Sequence, residues 1–248
     1  MSCIRIFYLS FLCLVPSVVS AQDDAYLPLS DGNLQVRHTS GFILAYSEPH
    51  EQAAWVAYEL TAQEVTGGVG RTDNFRSDHE IGTGSASLVD YKGSGYDRGH
   101  LAPAGDMKWS LTAMDESFFM SNISPQVPGF NRGIWKKLES TVRVWAGEYK
   151  KIYIVTGPVL TKRYPSIGKN NVSVPEFFYK VILDYQKPEL KAIGFVLPNK
   201  KSKNMVQDYS MSVDEVEDIT GINFFHSLDD AVEDSLESFY DIGQWSFY

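Results

Sequence analysis

The chain has 248 residues, of which 44% are hydrophobic and 21% charged, an ordinary globular balance that excludes a low-complexity or fibrous chain. Only two cysteines are present, which excludes a disulfide-framework scaffold. The net charge of −9 argues against a uniformly basic coat for polyanions, so the distribution of charge matters more than its sum.

The first segment reads as a leader. Met1 to Arg5 carry one positive charge, Ile6 to Val19 are uncharged and largely apolar, and Val19-Ser20-Ala21 forms a small-residue cleavage site. This is the layout of a secretory signal peptide over residues 1–21, with Gln22 opening the mature chain in a secreted or periplasmic setting. The apolar run is shorter than the roughly 20 residues that cross a bilayer core, and no later run is long enough to do so. Cys3 and Cys13 both lie in the leader, so the mature protein is expected to have neither thiol nor disulfide. Residues 22–248 suffice for one domain with an unstapled core.

Residues 34–47 contain two short β-type runs broken at Ser40-Gly41, and residues 51–65 fit a strand or a helix. Residues 66–95 are rich in Gly, Ser, Thr and Asp and read as a long loop, a feature that is often functional in a compact domain. A short helix is expected over 111–121, with Phe118 and Phe119 facing the core. Over 131–149, Ile134, Trp135, Leu138, Val142 and Trp145 recur at helical spacing, and Asn131 stands near the expected N-cap. Residues 151–156, 177–184 and 191–197 read as strands, and 213–220 as a helix ended by Gly221. Strands and helices without regular βαβ alternation favour an α+β class, a central antiparallel sheet flanked by helices.

Charge is unevenly placed. Ten Asp and Glu residues lie between Asp214 and Asp241 with no Lys or Arg, a pattern expected of a solvated surface. Once the leader with Arg5 is removed, the rest of the chain has 21 charges of each sign. Nine Lys and Arg residues fall between Arg132 and Lys169, against Glu139 and Glu148 alone, and offer a track for a polyanion.

The densest chemical motif is Gly95-Tyr96-Asp97-Arg98-Gly99-His100-Leu101-Ala102-Pro103. A histidine can accept a proton near neutral pH, and an arginine can hold phosphate oxygens with two donors. Asp97 could hold the motif or orient a neighbour. A second constellation runs from Asn122-Ile123-Ser124-Pro125-Gln126 to Asn131 and Glu139. On one continuous helix, Asn131 and Glu139 would lie about 12 Å apart along the axis on neighbouring sides. An amide oxygen and a carboxylate are hard ligands suited to Mg²⁺. Taken alone, Asn131 could equally be a plain N-cap, and Glu139 an exposed partner of Lys136 or Arg143.

Together these motifs resemble the DNA/RNA non-specific endonucleases, ββα-metal nucleases related to mitochondrial endonuclease G. Segments 55–60, 91–96, 156–158, 194–198 and 220–225 also look like family segments in the expected order, so the resemblance covers roughly residues 36–240. It implies a ββα-metal finger at the active site and a Mg²⁺-dependent enzyme that hydrolyses DNA and RNA, with Mn²⁺ as a substitute ion. His100 would be the general base, and Asn131 the direct protein ligand of Mg²⁺. Glu139 would orient water on the metal, Asn122 would support the site, and Arg98 would position the motif or the phosphate. Arg71 would steady the transition-state charge, with Arg76 as the alternative. Phe118 stands where some members have a further asparagine. Homodimers are common in the family. The competing expectation is a catalytically silent nucleic-acid-binding module on the same fold.

Overall fold

A computed structural model describes residues 26–29 and 33–247, so the leader, with Cys3 and Cys13, lies outside the described residues. The strands are β1 (Gln35–His38), β2 (Ile43–Ser47), β3 (Gln52–Thr61), β4 (Asp97–His100), β5 (Ile123–Gln126), β6 (Lys151–Pro158), β7 (Ser166–Ile167), β8 (Val172–Ser173), β9 (Phe177–Asp184), β10 (Lys191–Pro198) and β11 (Ser210–Met211). The helices are α1 (Leu88–Tyr91), α2 (Leu111–Glu116), α3 (Lys136–Tyr149), α4 (Val213–Thr220) and α5 (Asp230–Glu237).

A seven-stranded antiparallel sheet runs in the order β1-β2-β3-β6-β9-β10-β11. Its central strands are apolar on both faces. On β3, Val56, Tyr58 and Leu60 point to one face, and Trp55 and Ala57 to the other. A strand buried on both sides loses the polar/apolar alternation that would distinguish it from a buried helix, which is why 51–65 fits either. The first face is covered by α3, through Leu138, Val142, Trp145 and Ala146, and by Leu101 and Ala102. The second is covered by α4 and α5, through Val213, Val216 and Leu236. The α+β class with a helix-flanked antiparallel sheet is therefore observed.

Two expectations need correction. Residues 131–149 are not one helix. Phe130–Trp135 form a separate wide turn, and Gly133, at φ −108° and ψ −111°, breaks helical geometry before α3 begins. Asn131 is consequently no N-cap of α3, and ideal-helix spacing does not apply between Asn131 and Glu139. The acidic C-terminal region is also more than a solvated surface. Glu237 is buried, and beyond α5 the chain returns to the first face. There Trp245 packs 4.6 Å from Trp145, and the Trp145 indole N–H donates to the Ser246 carbonyl at 2.7 Å.

Candidate active site

Strands β4 and β5 pair in antiparallel register, with His100 opposite Ile123 and Gly99 opposite Ser124, and lead into the 130–135 turn and α3. This is a ββα unit resting on the first face of the sheet. A Cβ at position 99 would overlap the side chain of Gln126, so only glycine lets these strands approach as they do.

His100 ends β4 and is 8% exposed. Its ring meets Phe118 edge-on at 4.9 Å and lies 5.5 Å from Phe75, and its Nε2 is buried without a hydrogen-bond partner. Burial, then the charges of Arg71 and Arg98, push its pKa down to about 3. The imidazole is thus neutral at physiological pH, the state a proton acceptor needs. Phe118, where the resemblance leads one to look for an asparagine, forms an apolar wall. One ring bears on His100 and also carries the Arg71 guanidinium, 4.7 Å from its centroid.

The two arginine candidates separate. Arg76 donates to the Asp115 carboxylate at 2.7 Å and to the Asp115 and Asn74 carbonyls, and stacks 4.0 Å from the Phe119 centroid. Its donors serve the loop. Arg71 pairs with exposed Asp73 and lines an open cleft of about 580 Å³ together with Arg98, Asp97, Asn131 and Arg132. Arg98 lies 4.1 Å from the Phe75 centroid.

Asp97 orients its neighbours. One oxygen accepts from the Asn131 amide nitrogen at 2.9 Å, and both accept from Arg132, at 2.8 and 2.6 Å. Burial raises the Asp97 carboxyl, but these hydrogen bonds outweigh it and hold the group below the usual range. Because a carboxylate can only accept, the Asn131 NH₂ must point at Asp97, which leaves the amide oxygen available in the cleft. That oxygen fits a hard divalent ion that keeps most of its water.

Asn122 is fully buried. Its oxygen accepts from the Ala102 N–H at 2.9 Å, and its nitrogen donates to the Ala102 and Ser117 carbonyls at 2.9 and 2.8 Å. Every polar valence is directed inward, so Asn122 ties down the loop after His100.

Glu139 is half-buried rather than exposed, and among the described residues it pairs with neither Lys136 nor Arg143. Arg143 instead binds Asp106 at 2.7 Å, and Tyr58 donates to the same carboxylate at 2.8 Å. Burial raises the Glu139 carboxyl, while the charge of Lys180 draws it back. Lys180 is fully buried in β9, its Nζ has no hydrogen-bond partner and lies 5.0 Å from the Trp135 centroid, and burial lowers its pKa. Lys180, Asp106 and Tyr58 belong to neither chemical motif in the sequence, and only the fold brings them to Glu139 and Arg143. A lysine inside the apolar run Phe177–Asp184 was the available signal.

The expected basic track divides. Arg132, Lys136 and Lys137 share a groove beside the cleft. Lys151 and Lys162 are paired with Glu59 and Glu176.

A family model described as DNA/RNA non-specific endonuclease matches residues 26–231. The chain belongs to the DNA/RNA non-specific endonuclease family. Nuclease C1 of Cunninghamella echinulata var. echinulata is 38% identical over 205 residues, 76% of this chain and 81% of that protein. Mitochondrial endonuclease G of Homo sapiens is 33% identical over 212 residues, 79% and 71% of the two chains. A crystal structure of EndoG, in its complex with EndoGI, aligns with a TM-score of 0.76 at 32% identity and covers 84% of this chain and 91% of that one. The ββα unit and its arginine-lined cleft both lie within the matched segment.

Proposed function

We propose that this endonuclease is a secreted or periplasmic enzyme that hydrolyses DNA and RNA with little sequence preference, with His100 as general base and Mg²⁺ held at Asn131. One observation carries the reading: a neutral histidine with an unpartnered Nε2 packs against Phe75, in the wall of a cleft that presents the Asn131 amide and three arginines. Nε2 takes a proton from water as the water oxygen bonds to phosphorus and the P–O3′ bond breaks. Arg71 meets the charge gathering on the non-bridging oxygens, and Arg98 positions the phosphate. Asp97 fixes the Asn131 amide, and Glu139 helps return a proton to the leaving oxygen. When bound, Mg²⁺ supplies Lewis-acid stabilisation of that phosphate, and Mn²⁺ can replace it. Arginine contacts to phosphate carry no sequence information, which supports broad substrate choice. The leader pattern of residues 1–21 supports export.

The test is incubation of the mature protein with supercoiled plasmid and with single-stranded RNA, in Mg²⁺, Mn²⁺ or EDTA. Both substrates should be degraded with either ion and spared in EDTA. Binding of both without cleavage under any divalent ion would favour the silent module.

A further inference from the structure

Helices α4 and α5, on the sheet face opposite the cleft, carry an unusual concentration of carboxylates. Asp214 and Glu217 are three residues apart and so share one side of α4. Glu237 is the last residue of α5, where the negative end of the helix dipole disfavours a carboxylate. One oxygen from each of the three lies within 4.8 Å of the other two. Glu237 is only 5% exposed, and its Oε1 is buried with no hydrogen-bond partner. Glu217 uses one oxygen to accept the Phe224 N–H at 2.6 Å. No lysine or arginine occurs between positions 214 and 241 to balance the cluster. An anionic oxygen buried among other anions needs a counter-charge.

We propose that Asp214, Glu217 and Glu237 form a second divalent-cation site, suited to Ca²⁺, that clamps α4 to α5 and is distinct from the ion at Asn131. Oxygens bound to one Ca²⁺ at about 2.4 Å lie at most about 5 Å apart, which matches the observed spacing. Ca²⁺ accepts irregular all-oxygen sets and mono- or bidentate carboxylates, whereas Mg²⁺ demands a tight octahedron and sheds water reluctantly. Exposed Asp214 leaves one side open for water to complete the shell. Without a cation, burial and then the neighbouring carboxylates, Glu217 first, push the Glu237 carboxyl up to about 8. A proton on Glu237 is therefore the competing counter-charge. The site's role is to hold the C-terminal helices on the sheet.

The experiment is thermal unfolding of the full mature chain carrying Asn131→Ala, so that metal at the cleft does not contribute. It is run in EDTA, in Mg²⁺, and in Ca²⁺ at about 1 mM, the range of extracellular Ca²⁺ modules. Ca²⁺ should raise Tm by about 5 °C and Mg²⁺ by clearly less. Adding Asp214→Asn with Glu237→Gln should abolish the Ca²⁺ shift without lowering the Tm in EDTA. Should that pair fold poorly, Asp214→Asn alone, at an exposed position, should still reduce the shift. No Ca²⁺ shift in the parent, or an undiminished shift in the variants, overturns the site whatever the nuclease assay shows.

Discussion

Asp97 illustrates how a side chain can control a site through another side chain. It faces Asn131 and Arg132 across 34 and 35 sequence positions, and fixes which end of the Asn131 amide enters the cleft. Asp97→Ala frees that amide to rotate, and should weaken Mg²⁺ activation about 10–100-fold, with recovery at higher Mg²⁺. A Mg²⁺ titration of cleavage rate reads this, and an unchanged half-saturation point would count against the role. His100 gives a second test. Its folded pKa is depressed to about 3 from an ordinary 6.5, so below pH 6.5 the unfolded chain binds a proton that the folded one refuses. Its contribution is complete above that pH and is lost as pH falls. Urea unfolding in EDTA should therefore show wild type losing about 2 kcal/mol relative to His100→Gln between pH 7 and pH 5. Parallel pH profiles would refute the buried neutral state. The motif residues themselves were legible in sequence. The partnership of Asp97 with Asn131 was not, because nothing local joins positions so far apart. Lys180, a cation inside an apolar strand, left a trace that only the fold makes interpretable.

At the scale of elements, legibility followed periodicity and punctuation. Strand β9 and helix α4 stood out, the first as an apolar run and the second because Gly221, at φ 71°, caps it in the left-handed region. The break at Gly133 was hidden because the helical spacing of Ile134, Trp135 and Leu138 begins directly after it, and a single glycine does not by itself mark a helix start. Helix α5 was missed because its sequence DAVEDSLE offers only a thin apolar stripe. Strand β4 depends on a packing constraint. In Gly99→Ala the new methyl must push aside the fully buried Gln126 side chain and spread β4 from β5 beside His100. We expect a loss of about 1–3 kcal/mol in stability, read by denaturant unfolding, with a larger fractional loss of activity than of folded protein. Wild-type stability in this variant would show that the close approach is not required.

Across the whole molecule, charge and topology divide the work. The sheet carries α3 and the ββα unit on one face and the acidic helices on the other, so the negative balance of the chain is kept largely away from the arginine-lined cleft. Net charge alone pointed away from a nucleic-acid enzyme, and only its distribution restored the reading. The chain end then returns to α3 through Trp245, a long-range contact that no local pattern announces. Whether this frame holds a neutral His100 as the base that activates water is decided by the rate of plasmid cleavage in Mg²⁺ by His100→Ala, with unfolding measured alongside to verify the fold. The expected rate is about 10²–10⁴-fold below wild type in a folded protein. A folded His100→Ala that cleaves at the wild-type rate would contradict it.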